Sequence, residues 1–268
     1  MSYSSADSTK AGRNADTGAQ AYGRSSPGER RQEDHRQDGG VGERLRGGLI
    51  VSCQAPEGEP LHGPHFMAEM ARAAWLGGAV GIRANSGADI RAVRQMVSLP
   101  IIGIVKRHYP DSPVFITPTL AEAEEGVQAG ADVLALDATN RPRPGGLTLG
   151  RLVEGIRARW AVPVMADVGS VEEGVAAARL GFDLVATTLV GYTDDHPPLG
   201  YGPEFDLIAR MVDEVTGRLG VPVIVEGHIW EPEQARRCLD LGAFAVVVGS
   251  AITRPHLITR RFVEALGR

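Results

Sequence analysis

The chain has 268 residues, 43% of them hydrophobic, and a formal net charge of −5. That supplies apolar side chain for one large core, and the acidic balance excludes the basic footprint of a nucleic-acid or anionic-membrane binder. No apolar run reaches the roughly 18 to 20 residues of a membrane span, and the N-terminal stretch lacks an apolar signal core, so a cytoplasmic location is expected.

Residues 1–46 are Ser, Gly, Asp, Glu, Arg and Gln with almost no large apolar side chains, a composition that cannot offset the entropy of ordering. They read as a disordered leader, and 47–268 as a single folded domain. From Gly48 onward, short β-branched runs alternate with helical periods. The predicted strands are GLIVSCQ (48–54), AVGIRA (79–84), PIIGIVK (100–106), DVLALDA (132–138), VPVMAD (162–167), DLVATT (183–188), VPVIVE (ending at 226) and AFAVVVG (243–249). Each is too uniformly apolar for a half-exposed antiparallel strand, but suits a parallel strand covered on both faces.

Amphipathic stretches separate them, among them HFMAEMARAAWLGG, SGADIRAVRQMVS, TLAEAEEGVQAGA and SVEEGVAAARLGF. Several end in glycine just before the next strand, as helix C-caps do. A βα unit used eight times predicts a closed (β/α)₈ TIM barrel. An open doubly wound sheet would predict a glycine-rich turn after the first strand, where this chain has SCQAPEG.

A barrel places its chemistry at the C-terminal ends of its strands. There the chain has Gln54, Arg83, Lys106, Asp137, Asp167, Thr188 and Glu226, one after each of the first seven strands. Strand eight runs into VVVGSAITRP, where Gly249 permits close approach of a ligand, Ser250 opens a helix and Arg254 offers a fork for phosphate oxygens. Gly227, in the loop after strand seven, is a second backbone donor. Loops after strands seven and eight hold phosphate in many barrels, so a phosphorylated small substrate is expected.

Lys106 stands out by residue choice. The chain has two lysines, Lys106 and Lys10, against 26 arginines. Arginine stays protonated, whereas a desolvated lysine beside a cation such as Arg83 can act as a neutral base. Lys106 is therefore a candidate general base or Schiff-base former, the bland alternative being an ion pair with Glu226 or Asp137. Cys53 and Cys238 lack metal or redox spacing and read as reduced thiols. His62 and His65 have no evident third metal ligand, and the TDDHPP loop with Asp194, Asp195 and His196 reads as solvated.

With these residues collected, the chain resembles the N-acetylmannosamine-6-phosphate 2-epimerase family. The match runs in order from Gly48 to Ala265 through GGLIVSCQAPEGEPL, GAVGIRAN, LPIIGIVKRHYPDSPVFITPT, AGADVLALDAT, PVMADV, GFDLVATTLVGYT, VPVIVEG and GAFAVVVGSAITRP. The resemblance implies interconversion of N-acetylmannosamine 6-phosphate and N-acetylglucosamine 6-phosphate in sialic acid and amino-sugar catabolism, with no metal or nucleotide cofactor. It implies Lys106 as catalytic base and Glu226 as its essential partner. Gln54, Arg83 and Asp167 would contact substrate, and Asp137 joins them from its place at the fourth strand end. Gly249, Ser250, Arg254 and Gly227 would hold the phosphate. The chain departs from the family at His228, which takes the place of a phosphate-loop arginine, and at Gly169, where serine is common. Rival expectations are another phosphosugar barrel, such as a ketose-phosphate epimerase or a synthase, and a non-catalytic phosphosugar-binding barrel. The expected partners are the phosphosugar and further copies of this chain, with no nucleic acid or membrane.

Overall fold

The computed structural model describes residues 40–193 and 202–267. The leader up to residue 39 and residues 194–201, which hold Asp194, Asp195 and His196, lie outside the described residues. Eight parallel strands follow one another around a closed barrel: β1 (Leu49–Cys53), β2 (Gly81–Asn85), β3 (Ile101–Ile104), β4 (Val133–Asp137), β5 (Val164–Asp167), β6 (Leu184–Ala186), β7 (Val223–Glu226) and β8 (Ala245–Val248). β8 closes on β1 with Val247 opposite Ile50. The helices are α1 (Val41–Leu45), α2 (Pro64–Leu76), α3 (Gly87–Met96), α4 (Leu120–Gln128), α5 (Leu149–Arg157), α6 (Val171–Arg179), α7 (Phe205–Met211), α8 (Pro232–Asp240), α9 (Ser250–Thr253) and α10 (Pro255–Ala265). α7 runs on into one π-helical stretch, Val212–Gly217.

Each strand is apolar throughout because it has two faces to bury. Ile50, Ile102, Ile104, Ala135, Met165, Ala186, Ile224 and Val247 point inward and pack on one another. Their chain neighbours point outward: Leu134, Ala166 and Val185 meet Leu152 and Ile156 of α5 and Met211 of α7, while Ile82 and Ala84 meet Met67 of α2 and Ile90 of α3. Helix starts are set by side-chain caps, as at Thr119, whose hydroxyl accepts from Ala121 N while Glu122 returns to the Thr119 amide in a capping box. Glycines at positive φ end α2, α4, α6 and α8 (Gly78, Gly130, Gly181 and Gly242), which is the punctuation expected from the sequence.

The expected domain boundary at residue 47 falls too late. α1 precedes it, and Leu45 is fully buried in the inner core. A Cβ on Gly81, the first residue of β2, would stand 2.6 Å from the Leu45 side chain, so Leu45 fills the N-terminal mouth through room left by a glycine. Gly47 N donates to Phe244 O (2.7 Å), fastening this segment to the barrel. One apolar residue in a polar stretch has no periodicity, and that hid its role. Both cysteines are buried and free, and burial raises their thiol pKa values, to about 12 for Cys53 and about 11 for Cys238.

Candidate active site

The alternation that fills the barrel also supplies its polar mouth. Continuing each inward set by two residues past the core leads from Ile50 to Ser52 and Gln54, from Ile104 to Lys106, from Ala135 to Asp137 and from Met165 to Asp167. It leads likewise from Ala186 to Thr188, from Ile224 to Glu226 and from Val247 to Gly249. On β2, where Ile82 and Ala84 face the helices, Arg83 and Asn85 are the inward pair. The strands end slightly earlier than expected: β3 stops at Ile104 and β6 at Ala186, so Lys106 and Thr188 extend past the regular ladder. Lys106 is held there by an antiparallel bridge to Ile116 and by its own amide, which donates to Asn85 Oδ1 at 2.8 Å.

Arg83 lies at the centre and is fully buried. A guanidinium withdrawn from water needs counter-charge and hydrogen-bond acceptors. Its Nη1 donates to Asp167 Oδ1 (3.0 Å) and Glu226 Oε2 (2.6 Å), and its Nη2 to Asp167 Oδ2 (2.5 Å). Thr188 Oγ1 lies 3.3 Å from Nη1, 2.7 Å from Asp167 Oδ1 and 3.0 Å from Glu226 Oε2. Thr187 fixes the backbone of Glu226, accepting from its amide (3.0 Å) and donating to its carbonyl (2.9 Å).

The Lys106 ammonium faces this cluster but makes no hydrogen bond or ion pair among the described residues, so the ion pair with Glu226 or Asp137 does not form. Its side chain is open to the cavity while barrel walls surround it, and that removal from bulk water lowers its pKa. The Arg83 charge lowers it further, against opposing pulls from Glu226 and Asp167. Glu226 shifts the other way. Burial raises its carboxyl pKa, partly countered by Arg83, with Asp167 raising it and the Thr188 bond and Lys106 lowering it.

A cavity of about 390 Å³ opens above, within the size range of small-molecule sites. Gln54, Lys106 and Glu226 line its barrel side. Gly227, His228, Gly249, Ser250 and Arg254 line the side formed by the loops after β7 and β8. Eight sequence-predicted residues are thereby brought to one cavity. Arg83 and Asp167 lie beneath its floor, behind Glu226 and Thr188. Asp137 is not brought to the cavity: its Oδ1 accepts from Thr139 N (3.1 Å) and Oγ1 (2.7 Å), and its Oδ2 from Arg141 Nη2 (2.7 Å). Its polar capacity is spent on its own loop.

In the loop after β7, Gly227 has φ 107°, a backbone form that side-chain-bearing residues avoid. His228 follows at φ 57°, stacks on Tyr192 with ring centroids 4.9 Å apart, and leaves Nε2 buried without a hydrogen-bond partner among the described residues. Burial lowers its pKa, with a backbone bond to Val190 acting the other way. Gln54 Oε1 is likewise buried and has no partner among the described residues, while its Nε2 donates to Ser52 Oγ (2.8 Å). At Gly169, a Cβ would stand 3.1 Å from Thr193 Oγ1 and 3.3 Å from Leu189 O, so the missing side chain matches a tight seat.

Sequence reasoning missed three residues here. Asn85 was findable, lying two residues beyond Arg83 on the same face. Thr188 was identified as a strand end but not as a partner of both carboxylates. Glu59, from the β1–α2 loop, holds Arg254: Arg254 Nε donates to Glu59 Oε2 (3.1 Å) and Nη2 to Oε1. No local pattern announces that pair.

A closed (β/α)₈ barrel with a lysine and a carboxylate over one cavity, and glycine-rich loops and an arginine at its far side, defines a class of metabolic acid–base enzymes acting on small anionic substrates. The family model described as "Putative N-acetylmannosamine-6-phosphate epimerase" matches residues 67–268. Relatives given the same description as 2-epimerases, from Caldanaerobacter subterraneus and Enterobacter sp., are each 53% identical. They cover 82% and 83% of this chain, and 92% and 94% of their own length. The solved N-acetylmannosamine-6-phosphate 2-epimerase from Clostridium perfringens superposes with a TM-score of 0.81 at 44% identity, over 86% of this chain and 98% of that one. A thiamine phosphate pyrophosphorylase from Pyrococcus furiosus, 18% identical with a TM-score of 0.52, shares the fold alone. The chain belongs to the N-acetylmannosamine-6-phosphate 2-epimerase family, and it is an isomerase with a TIM-barrel fold.

Proposed function

We propose that this enzyme interconverts N-acetylmannosamine 6-phosphate and N-acetylglucosamine 6-phosphate by moving a proton at C2, in the breakdown of sialic acids and amino sugars. The observation that carries the reading is the unpaired Lys106 beside Glu226 at the floor of one cavity. In the open-chain sugar the C2 hydrogen is α to the C1 aldehyde, so its removal gives an enolate that needs cations and donors nearby. Lys106 takes the proton from one face, and Glu226 returns one from the other, inverting C2.

Formal charge supports this division of labour. Arg83 brings one positive charge and the two carboxylates, Asp167 and Glu226, two negative ones. The cluster is neutral when one further proton is shared between Lys106 and Glu226. Neutral lysine with protonated Glu226 suits one direction of epimerisation, and ammonium with carboxylate suits the reverse. Opposite pKa displacements bring the two forms closer in energy.

Gly249, Ser250, Gly227, His228 and Arg254 take the phosphate in this reading, and Gln54 an amide or hydroxyl of the sugar. The substrate is a free phosphosugar of the cytoplasm; no helix among the described residues is long and apolar enough to cross a membrane. A homo-oligomer is part of the reading and is supported by α10, which buries none of its residues and leaves Phe262 69% exposed, with Leu266 just beyond its end 78% exposed. Proton NMR of N-acetylmannosamine 6-phosphate in D₂O tests the function. The C2 proton signal should vanish as the epimer forms, whereas unchanged substrate, or exchange at another carbon, would overturn the reading.

A further inference from the structure

Arg254 does not reach the cavity unsupported. It stands at the junction of α9 and α10, and its side chain lines the cavity and is 29% exposed. An arginine has many rotamers, and an anion that must order a loose one binds more weakly by the freedom lost. An arginine held in place beforehand avoids that loss.

The chain between β1 and α2 brings Glu59 to it. Glu59 N donates to Pro56 O (3.1 Å), with Gly58 at φ 87° in the third position, as in a type II turn. His62 N then donates to Glu59 O (3.0 Å). Pro56, Glu57, Gly58 and Pro60 are exposed around it, whereas the Glu59 side chain is turned inward and is 16% exposed. Glu59 Oε2 accepts from Arg254 Nε (3.1 Å) and Oε1 from Nη2, while His256 Nε2 lies 3.9 Å from Oε2.

A guanidinium carries five hydrogens in one plane. Glu59 takes one from Nε and one from Nη2, which is the side edge of the group. The end edge stays whole: one hydrogen of Nη1 and the second of Nη2 run parallel, the spacing that suits two phosphate oxygens. Nη1 has no partner among the described residues. Glu59, unlike Arg254, does not line the cavity, so the acid lies behind the arginine and a ligand in the cavity need not displace it. The guanidinium then stands between two anions and bonds each by a different edge.

We infer that Glu59 is a positioning residue for phosphate recognition: it grips Arg254 by the side edge and so presents the end edge to the phosphate oxygens. Arg254 accordingly acts as an oriented pair of donors within a neutral pair, and a β1–α2 loop that never touches the phosphate sets affinity for it.

This rests on Arg254 holding the phosphate, and the experiment separates the two ideas. Glu59→Gln keeps the shape and turns one of the two acceptors into a donor. It should raise KM for N-acetylmannosamine 6-phosphate, and the inhibition constant of inorganic phosphate, by the same factor of about three to ten, the range for ordering one long side chain. Turnover at saturation, and C2 proton exchange on unphosphorylated N-acetylmannosamine, should stay within about twofold. In an Arg254→Ala background, adding Glu59→Gln should change neither constant by more than about twofold. Unchanged or tighter phosphate binding by Glu59→Gln would overturn the proposal, the tighter case making Glu59 a competitor of the phosphate. Equal losses on the phosphorylated and unphosphorylated sugars, or a full effect in the Arg254→Ala background, would overturn it too, by reducing Glu59 to a support of the loop. Normal phosphate binding by Arg254→Ala alone would instead overturn the placing of the phosphate on which the inference rests.

Discussion

Replacing Arg83 with methionine removes the charge at the centre of the site while keeping most of its volume. The guanidinium has zero exposure and gives Asp167 two hydrogen bonds, at 3.0 and 2.5 Å, and Glu226 one, at 2.6 Å. Its loss leaves two carboxylates beneath the cavity with Thr188 as their one shared donor. Breaking a buried ion pair on one side costs about 3 to 5 kcal/mol. For a barrel of this size, that corresponds to a melting decrease of roughly 6 to 20 °C. The cost has a direction in pH. Carboxyls whose folded pKa is pushed above the unfolded value are penalised above the folded pKa, and the penalty disappears below the unfolded one. The gap between wild type and Arg83→Met should therefore be widest at neutral pH and narrow toward about pH 4 to 5, as the pair takes up protons. Urea unfolding of both proteins across that range measures it, with C2 proton exchange followed in parallel. Arg83→Lys should recover only part of the loss, since an ammonium cannot span both acids as the planar fork does. A gap below about 1 kcal/mol, or one that does not change with pH, would refute the account of Arg83 as shared counter-ion.

Other substitutions probe the rim and the base of the barrel. Leu45→Ala should destabilise by about 2 to 5 kcal/mol, as for a fully buried leucine, with KM unchanged. Removal of residues 1–39 should leave turnover within about twofold, whereas removal through residue 46 should reproduce the Leu45→Ala loss; thermal melts of the two truncations decide this. Arg254→Ala should weaken phosphosugar binding by about 1.5 to 3 kcal/mol, with a smaller effect on unphosphorylated N-acetylmannosamine, measured as KM for each sugar. Equal effects on the two sugars would remove Arg254 from the phosphate site.

The barrel was legible because each strand is buried on both faces and α2, α4, α6 and α8 end in glycine punctuation that has a physical cause. The same alternation made the mouth legible: once Ile102 and Ile104 are inside, Lys106 is inside too. What escaped were contacts between distant segments. Glu59 and Arg254 are 195 residues apart, and neither sequence neighbourhood predicts the other. Leu45 is one leucine among polar residues, and its value depends on the space above Gly81. Asp137 was misplaced for the opposite reason. Its strand-end position is right, but Thr139 and Arg141, two and four residues on, absorb its carboxylate. Strand-end position shows where a side chain points and leaves open what it meets there.

The central claim is that Lys106 works as a neutral amine at C2, and Lys106→Arg tests it most directly. The substitution keeps the positive charge and most of the length but cannot accept a proton near neutral pH. Lys106 has no carboxylate partner among the described residues, and burial with Arg83 nearby lowers its pKa, so nothing in its surroundings asks for a permanent cation. The measurement is the rate of C2 proton loss from N-acetylmannosamine 6-phosphate in D₂O, at saturating substrate, with the fold checked by circular dichroism. A fall of at least about 10³-fold, close to that of Lys106→Ala, is predicted. Retention of more than about a tenth of the wild-type rate would make Lys106 a charge anchor and contradict the mechanism.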